Sequence, residues 1–347
     1  MIDRNPETNF EELWTTFCKR YPFFEVRNVD WADQYDHFRP LVHSETSESE
    51  LFDIFCRMLA PLNDGHVNLT AAIDGTKRHF NPEKKPRFWQ EFSDGEIVEL
   101  FQTTGNTLVA SGFSEPSATE AWMLLYCRSK NVGYVRILEL EGIKKQELEK
   151  ALDTISNDFK ELDGYIIDIR NCPGGDDSTA IAIINRFCDG RRVAFHRSTK
   201  IGPGDDDMTP LKTWHIEPKG DTQFNGPIVL LTCDSVFSGG EAFALAIREL
   251  PYVTIVGEHT NGIFSYELER KLPNGWRYTL SYQKYFSADM VCYEGKGVPA
   301  DIELLNTRSD IETGTDPLIT HALEFLRSQK TEPVNGEPSN RRSAAWD

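Results

Sequence analysis

The sequence has no long apolar run. No window nears the roughly 20 uninterrupted apolar residues that a bilayer span requires, so no transmembrane helix is predicted. A secretory leader is equally hard to find. Residues 1–25 carry Asp3, Arg4, Glu7, Glu11, Glu12, Lys19 and Arg20, with no apolar h-region and no small-residue cleavage site. The expectation is a cytoplasmic protein, or an exported or periplasmic one whose leader has been removed. Basic charge is in short supply: 37 Lys and Arg stand against 55 Asp and Glu, a net charge of −18. A field of that sign repels phosphate backbones and anionic lipid, so neither nucleic acid nor a membrane surface is expected as the partner. The seven cysteines form no CxxC pair and no metal-type spacing, which predicts reduced thiols and neither a structural metal nor any other cofactor. Among the 347 residues, 39% are hydrophobic and 27% charged, an ordinary globular balance in a chain long enough for two domains or one large one.

The hydrophobic period divides the chain. In residues 1–66 it is helical. Thr8 with Glu11 reads as a capping box ahead of an apolar face of Phe10, Leu13, Trp14, Phe17, Cys18 and Tyr21. A second helix is predicted from Asp30 through Trp31, Tyr35 and Phe38. A third opens on the Ser47–Glu50 capping box and ends at the turn Asn63-Asp64-Gly65, directly before His66. From 67 to 130 the period moves toward two, predicting a β-rich segment with strands near 67–71, 97–101, 107–110 and 121–127, and another follows at 133–137. Beyond 131 strands and helices alternate: a helix on Leu148, Leu152, Ile155 and Phe159, strand 165–169, a helix on Ala180–Phe187, strand 228–231, helix 242–250 and strand 254–257. That alternation predicts crossover units and a partly parallel sheet over 131–330, giving an α+β protein with an α/β core and a C-terminal helix. Loop 199–226, rich in Gly, Asp and Pro, is a candidate substrate-facing segment. The polar residues 331–347 read as a disordered tail.

Three places could carry chemistry. Asp168-Ile169-Arg170-Asn171-Cys172-Pro173-Gly174-Gly175 follows a strand, and its two glycines can turn N–H groups toward an anion or a developing oxyanion; a plain tight turn is the alternative. The spacing matches neither GxGxxG nor a P-loop. Ser238-Gly239-Gly240-Glu241 lies between a strand and a strongly apolar helix. Ser238 with Glu241 is itself a capping box, but a serine at a helix N-terminus also has the dipole and free N–H groups that favour a nucleophile. The third place is a histidine base, for which His66 and His259 both remain candidates, because a Ser–His pair is recognised by geometry rather than by sequence order.

Taken together these segments resemble the S41 family of serine peptidases, the C-terminal processing proteases and their tricorn-core relatives. The resemblance runs through Leu62–His66, Gly133–Ile137, Asp168–Gly175, Ser238–Glu241, Val256–Gly262, Leu272–Gly275 and Tyr293–Asp301. It implies a ClpP/crotonase-like catalytic core, Ser238 as nucleophile, His66 as general base and Glu294 as the acidic residue at the far end of the relay. Backbone N–H groups of Gly239 and of Gly174 or Gly175 would form the oxyanion hole. The position of the lysine in the Ser–Lys branch is occupied here by Ile263, which cannot act as a base, so the histidine-using, tricorn-like design is the one implied. The substrate would be a peptide or an unfolded protein; a small-ester hydrolase and a non-catalytic ligand carrier on the same core are the alternatives. Two positions depart from the pattern, Gly65 where tricorn-like sites carry a serine before the histidine, and Cys172 where the family has asparagine. The interval from His66 to Gly133 is too short for a PDZ domain and has the wrong pattern.

Overall fold

The computed structural model describes residues 2–119, 123–224 and 226–329; the expected tail at 331–347, and the start of the strand expected at 121–127, lie outside them. Helix α1 (Pro6–Arg20) begins earlier than the Thr8–Glu11 pattern suggests. Asn5 caps it, accepting from the N–H groups of Glu7 and Thr8, and Pro6 fills the first turn, where its missing N–H costs nothing. Helix α2 (Trp31–Phe38) is capped by Asp30 and α3 (Glu48–Leu59) by the predicted Ser47–Glu50 box. A 3₁₀ turn, Ala60–Leu62, follows, and the chain reverses at Asn63, whose φ of +44° is left-handed, a conformation asparagine tolerates.

Strands β1 (Asn68–Ile73) and β2 (Thr76–Phe80) form a hairpin. The strands predicted at 97–101 and 107–110 do not exist. Both stretches belong to one helix, α5 (Asp94–Ala110), which follows the short α4 (Arg87–Glu91). Ser93 and Glu96 close a capping box at its start, and its buried residues, Leu100, Thr103, Thr104, Thr107 and Leu108, recur at helical spacing. The threonines give the segment a strand-like composition, but burying this one face against the core overrides that weak preference. The expected β-rich segment is therefore half helical, ending in β3 (Ser117–Ala118) and β4 (Leu124–Arg128).

The remainder alternates as expected, with additions. Strand β5 (Val132–Ile137), α6 (Lys145–Phe159), β6 (Gly164–Asp168) and α7 (Asp177–Ile184) lead to β7 (Arg192–Thr199) and β8 (Lys212–Ile216), the latter inside the predicted loop. Next come β9 (Ile228–Thr232), α8 (Gly239–Ile247), β10 (Val253–Gly257), β11 (Arg270–Lys271), β12 (Arg277–Thr279), β13 (Gln283–Phe286), β14 (Ile302–Glu303), α9 (Arg308–Thr313) and α10 (Pro317–Gln329).

The central sheet has the order β14-β10-β9-β6-β5-β4-β3, parallel from β14 to β5 and antiparallel beyond. Alternate residues feed its two faces. Tyr165, Ile167, Ile228 and Leu230 pack on the side covered by α6, α7 and α8, while Ile166, Val229 and Leu231 pack against Leu318, Ala322 and Leu326 of α10. This is the α/β core of an α+β protein. A second, antiparallel sheet, β11-β12-β1-β2, packs on the N-terminal helices: Phe10, Phe17 and Phe55 share one core with Leu69, Trp276 and Tyr278. Strands β13, β7 and β8 make a third sheet.

Candidate active site

Strands β6 and β9 are parallel neighbours, so the segments leaving their carboxyl ends meet, as functional segments do in α/β sheets. Phe237 N–H donates to the Cys172 carbonyl at 3.1 Å, and Ser235 Oγ donates to Asn171 Oδ1 at 3.1 Å. The contact between the two segments has no room for side chains. A Cβ on Gly174, whose φ is +96°, would stand 2.4 Å from the Gly239 nitrogen, and one on Gly239 would stand 2.4 Å from the Gly175 carbonyl oxygen. Cys172 is fully buried and packs behind this turn, its thiol pushed up to about 12 by burial.

Ser238 sits at the start of α8 with φ +54° and ψ −120°, a combination a residue with a Cβ rarely adopts. Such strain collects at functional sites, held by the surrounding structure. Its N–H donates to the Ile263 carbonyl at 3.1 Å, and its carbonyl accepts from Glu241 and Ala242. The capping box the sequence allowed is absent, because the serine side chain makes no capping bond. Glu241 points elsewhere: its fully buried carboxylate accepts from Thr260 Oγ1 and from the N–H groups of Gly262 and Ile263. It thereby fixes the loop that holds Ser238 in its strained conformation. Burial raises that carboxyl to about 7, against the hydrogen bonds.

His66 is held on every side. Asp64 Oδ1 accepts its backbone N–H at 2.9 Å, Thr279 Oγ1 donates to its carbonyl at 2.6 Å, and the Phe237 ring lies 4.7 Å away, centroid to centroid. Burial pulls the imidazole down to about 4, opposed by the charge of Asp64. The side chain is neutral at pH 7, as a general base must be. His66, Gly174, Gly175 and Ser238 line one cleft of about 870 Å³, whose walls also carry Trp214 of β8 and Tyr266. Gly239 lies buried beside it, its N–H in the first helical turn, where no intrahelical acceptor exists. His259 is exposed, is not among the residues lining this cleft, and has its Nδ1 2.6 Å from the Thr260 carbonyl.

Glu294 is buried and paired with Arg27, 2.9 Å from Nη2 to Oε1, while its other oxygen accepts from Phe264 N–H at 3.1 Å. Burial and then Asp64 push its carboxyl up, against the pull of Arg27. Among the described residues no hydrogen bond joins Glu294 to His66. Sequence reasoning missed Arg27, Phe237 and Ser281. Only Arg27 gave any signal, a basic residue three positions after the aromatic stretch Tyr21–Phe24.

The fold is an α+β protein with an α/β core, and its cleft is lined by a strained serine at a helix N-terminus and a buried histidine. The sequence profile of peptidase family S41 matches residues 131–304, and that of the tricorn protease C1 domain matches residues 2–60. The chain belongs to peptidase family S41. It is 25% identical over 176 residues to the carboxy-terminal processing protease CtpA of Bacillus subtilis, a match covering 51% of this chain and 35% of CtpA. The carboxyl-terminal-processing protease of Synechocystis is 27% identical over 133 residues, 38% of this chain and 28% of the relative. The chain thus spans about a third of the length of the curated relatives it matches. Among solved structures, a candidate peptidase from Parabacteroides merdae superposes with a TM-score of 0.77 at 28% identity, covering 93% of this chain and 97% of that one. Mature CPAF has the same fold, with a TM-score of 0.62 at 13% identity over 94% of this chain and 96% of that one.

Proposed function

We propose that this chain is a serine peptidase that hydrolyses bonds in peptides or unfolded proteins through an acyl-enzyme on Ser238. The observation that carries the reading is the strained Ser238 sharing a cleft with a neutral, buried His66. His66 Nε2 takes the Ser238 hydroxyl proton as Oγ bonds to the scissile carbonyl carbon. The oxyanion is received by the N–H of Gly239 with that of Gly174 or Gly175, at the positive end of α8. Collapse breaks the C–N bond, and His66 returns the proton to the departing amine. A water deprotonated by His66 then attacks the ester, releasing the acid and restoring Ser238. Glu294 acts through the buried charge cluster it forms with Arg27 and Asp64, not by touching the imidazole. The cleft volume is in the range that encloses a compact ligand, here a short stretch of peptide.

The test is labelling with a fluorophosphonate alongside digestion of casein. Wild type should label and digest, and Ser238→Ala should do neither. Equal labelling of the two proteins removes Ser238 from the role. Labelling by neither favours a non-catalytic ligand carrier, and turnover of small esters without peptides favours an esterase.

A further inference from the structure

Strand β1 pairs with β12 in the register Asn68 opposite Thr279. Continuing that antiparallel register by two residues brings Ser281 opposite His66. The two side chains meet there: Ser281 Oγ lies 3.5 Å from His66 Nδ1, both groups buried. Among the described residues this is the one polar contact the imidazole makes. Among the described residues neither nearby carboxylate bonds the ring: Asp64 Oδ1 takes the His66 backbone N–H while its buried Oδ2 makes no hydrogen bond, and Glu294 takes Arg27 and the Phe264 N–H. Position 65 offers no alternative, because a Cβ on Gly65 would stand 2.7 Å from Glu83 Oε2 and 2.9 Å from the Phe237 ring. The polar group that meets the ring comes instead from across the sheet.

We propose that Ser281 is the positioning residue for His66, its hydroxyl oxygen accepting the Nδ1–H and so leaving Nε2 unprotonated toward the cleft. A neutral imidazole has two tautomers, and only the one protonated at Nδ1 can accept the serine proton at Nε2. The 3.5 Å separation is long for a hydrogen bond, as catalytic contacts are before substrate closes the site. The inference rests on the peptidase reading for its kinetic consequence but not for its structural one.

Two measurements on the full chain test it. The first is nitrogen-15 NMR of histidine-labelled protein, with the His66 signals assigned by their loss in His66→Gln. Wild type should show the Nδ1–H tautomer, and Ser281→Ala should lose that preference while its thermal unfolding stays close to that of wild type. The second is turnover of an oligopeptide, where Ser281→Ala should lower kcat about 10-fold or more, with KM nearly unchanged, since one hydrogen bond to the base is removed without altering the cleft wall. A wild-type His66 protonated at Nε2, or a tautomer unaffected by Ser281→Ala, overturns the proposal whatever kcat does. If wild type turns over no peptide, the peptidase reading fails, while the tautomer measurement still decides the role of Ser281.

Discussion

At the scale of single residues, the histidine burial has a kinetic consequence. His66 is held down to about 4 by burial, so it stays unprotonated across the range where a solvent-exposed imidazole would titrate, near 6.5. The acid limb of kcat/KM should therefore fall near pH 4, activity being lost as protonation removes the base, with no break near 6.5. A profile of kcat/KM from pH 3.5 to 8 checks this. Replacing the base with glutamine should cost about 10³-fold in kcat while leaving the oxyanion donors in place. His259→Gln should stay near wild type, because that side chain is exposed and not part of the cleft lining. The reverse pattern would move the active site.

At the scale of elements, two joints hold the site together. One is the backbone contact between the loops after β6 and β9. Gly174→Ala would put a Cβ against the Gly239 nitrogen at a φ of +96°, combining overpacking with backbone strain, for a loss of about 2–4 kcal/mol. Urea unfolding should show that loss, and fluorophosphonate labelling should fall with it. The other joint is the ion pair between Arg27, in the segment after α1, and Glu294 of the core, their side chains 8% and 1% exposed. Removing one member of such a pair strands a buried charge, so Arg27→Met should destabilise by about 3 kcal/mol. Adding Glu294→Gln should restore part of it, since no charge is then left unpaired. A double-mutant cycle in urea reads the coupling, and additive losses would show that the pair is not a joint.

For the whole molecule, the net charge of −18 becomes specific at the cleft. Its lining carries Glu139, Glu141, Glu149, Asp176 and Glu267 against Lys145 and Lys219. Glu149 is engaged by Arg186 and Lys219 by Glu217. A cleft of one sign focuses its field and raises the encounter rate of opposite charge, steeply at low salt. Cationic oligopeptides should therefore be cleaved with higher kcat/KM than anionic ones of equal length in 20 mM salt. The advantage should shrink as ionic strength rises to 0.5 M, where charges more than a few ångströms apart are screened. Equal values at both salt concentrations would remove this preference.

The sequence by itself determined the local elements whose signals are local. The Ser47–Glu50 box starts α3, Asp30 starts α2, and the apolar runs at 165–169 and 228–231 are β6 and β9, because caps and hydrophobic period act over a few residues. It also placed Ser238 and His66 as candidates, each beside a turn or helix start that reads from the chain. Only tertiary structure decided the rest. Residues 94–110 became a helix because one threonine-bearing face could be buried. Ser238 was freed from capping because the Glu241 carboxylate found partners in a loop some twenty residues on. His66 lines the cleft and His259 does not, and Ser281 and Arg27 come near it, through strand registers and an ion pair that join residues more than 200 positions apart. No pattern along the chain encodes such contacts, because they exist only once both cores have packed and brought β1 beside β12.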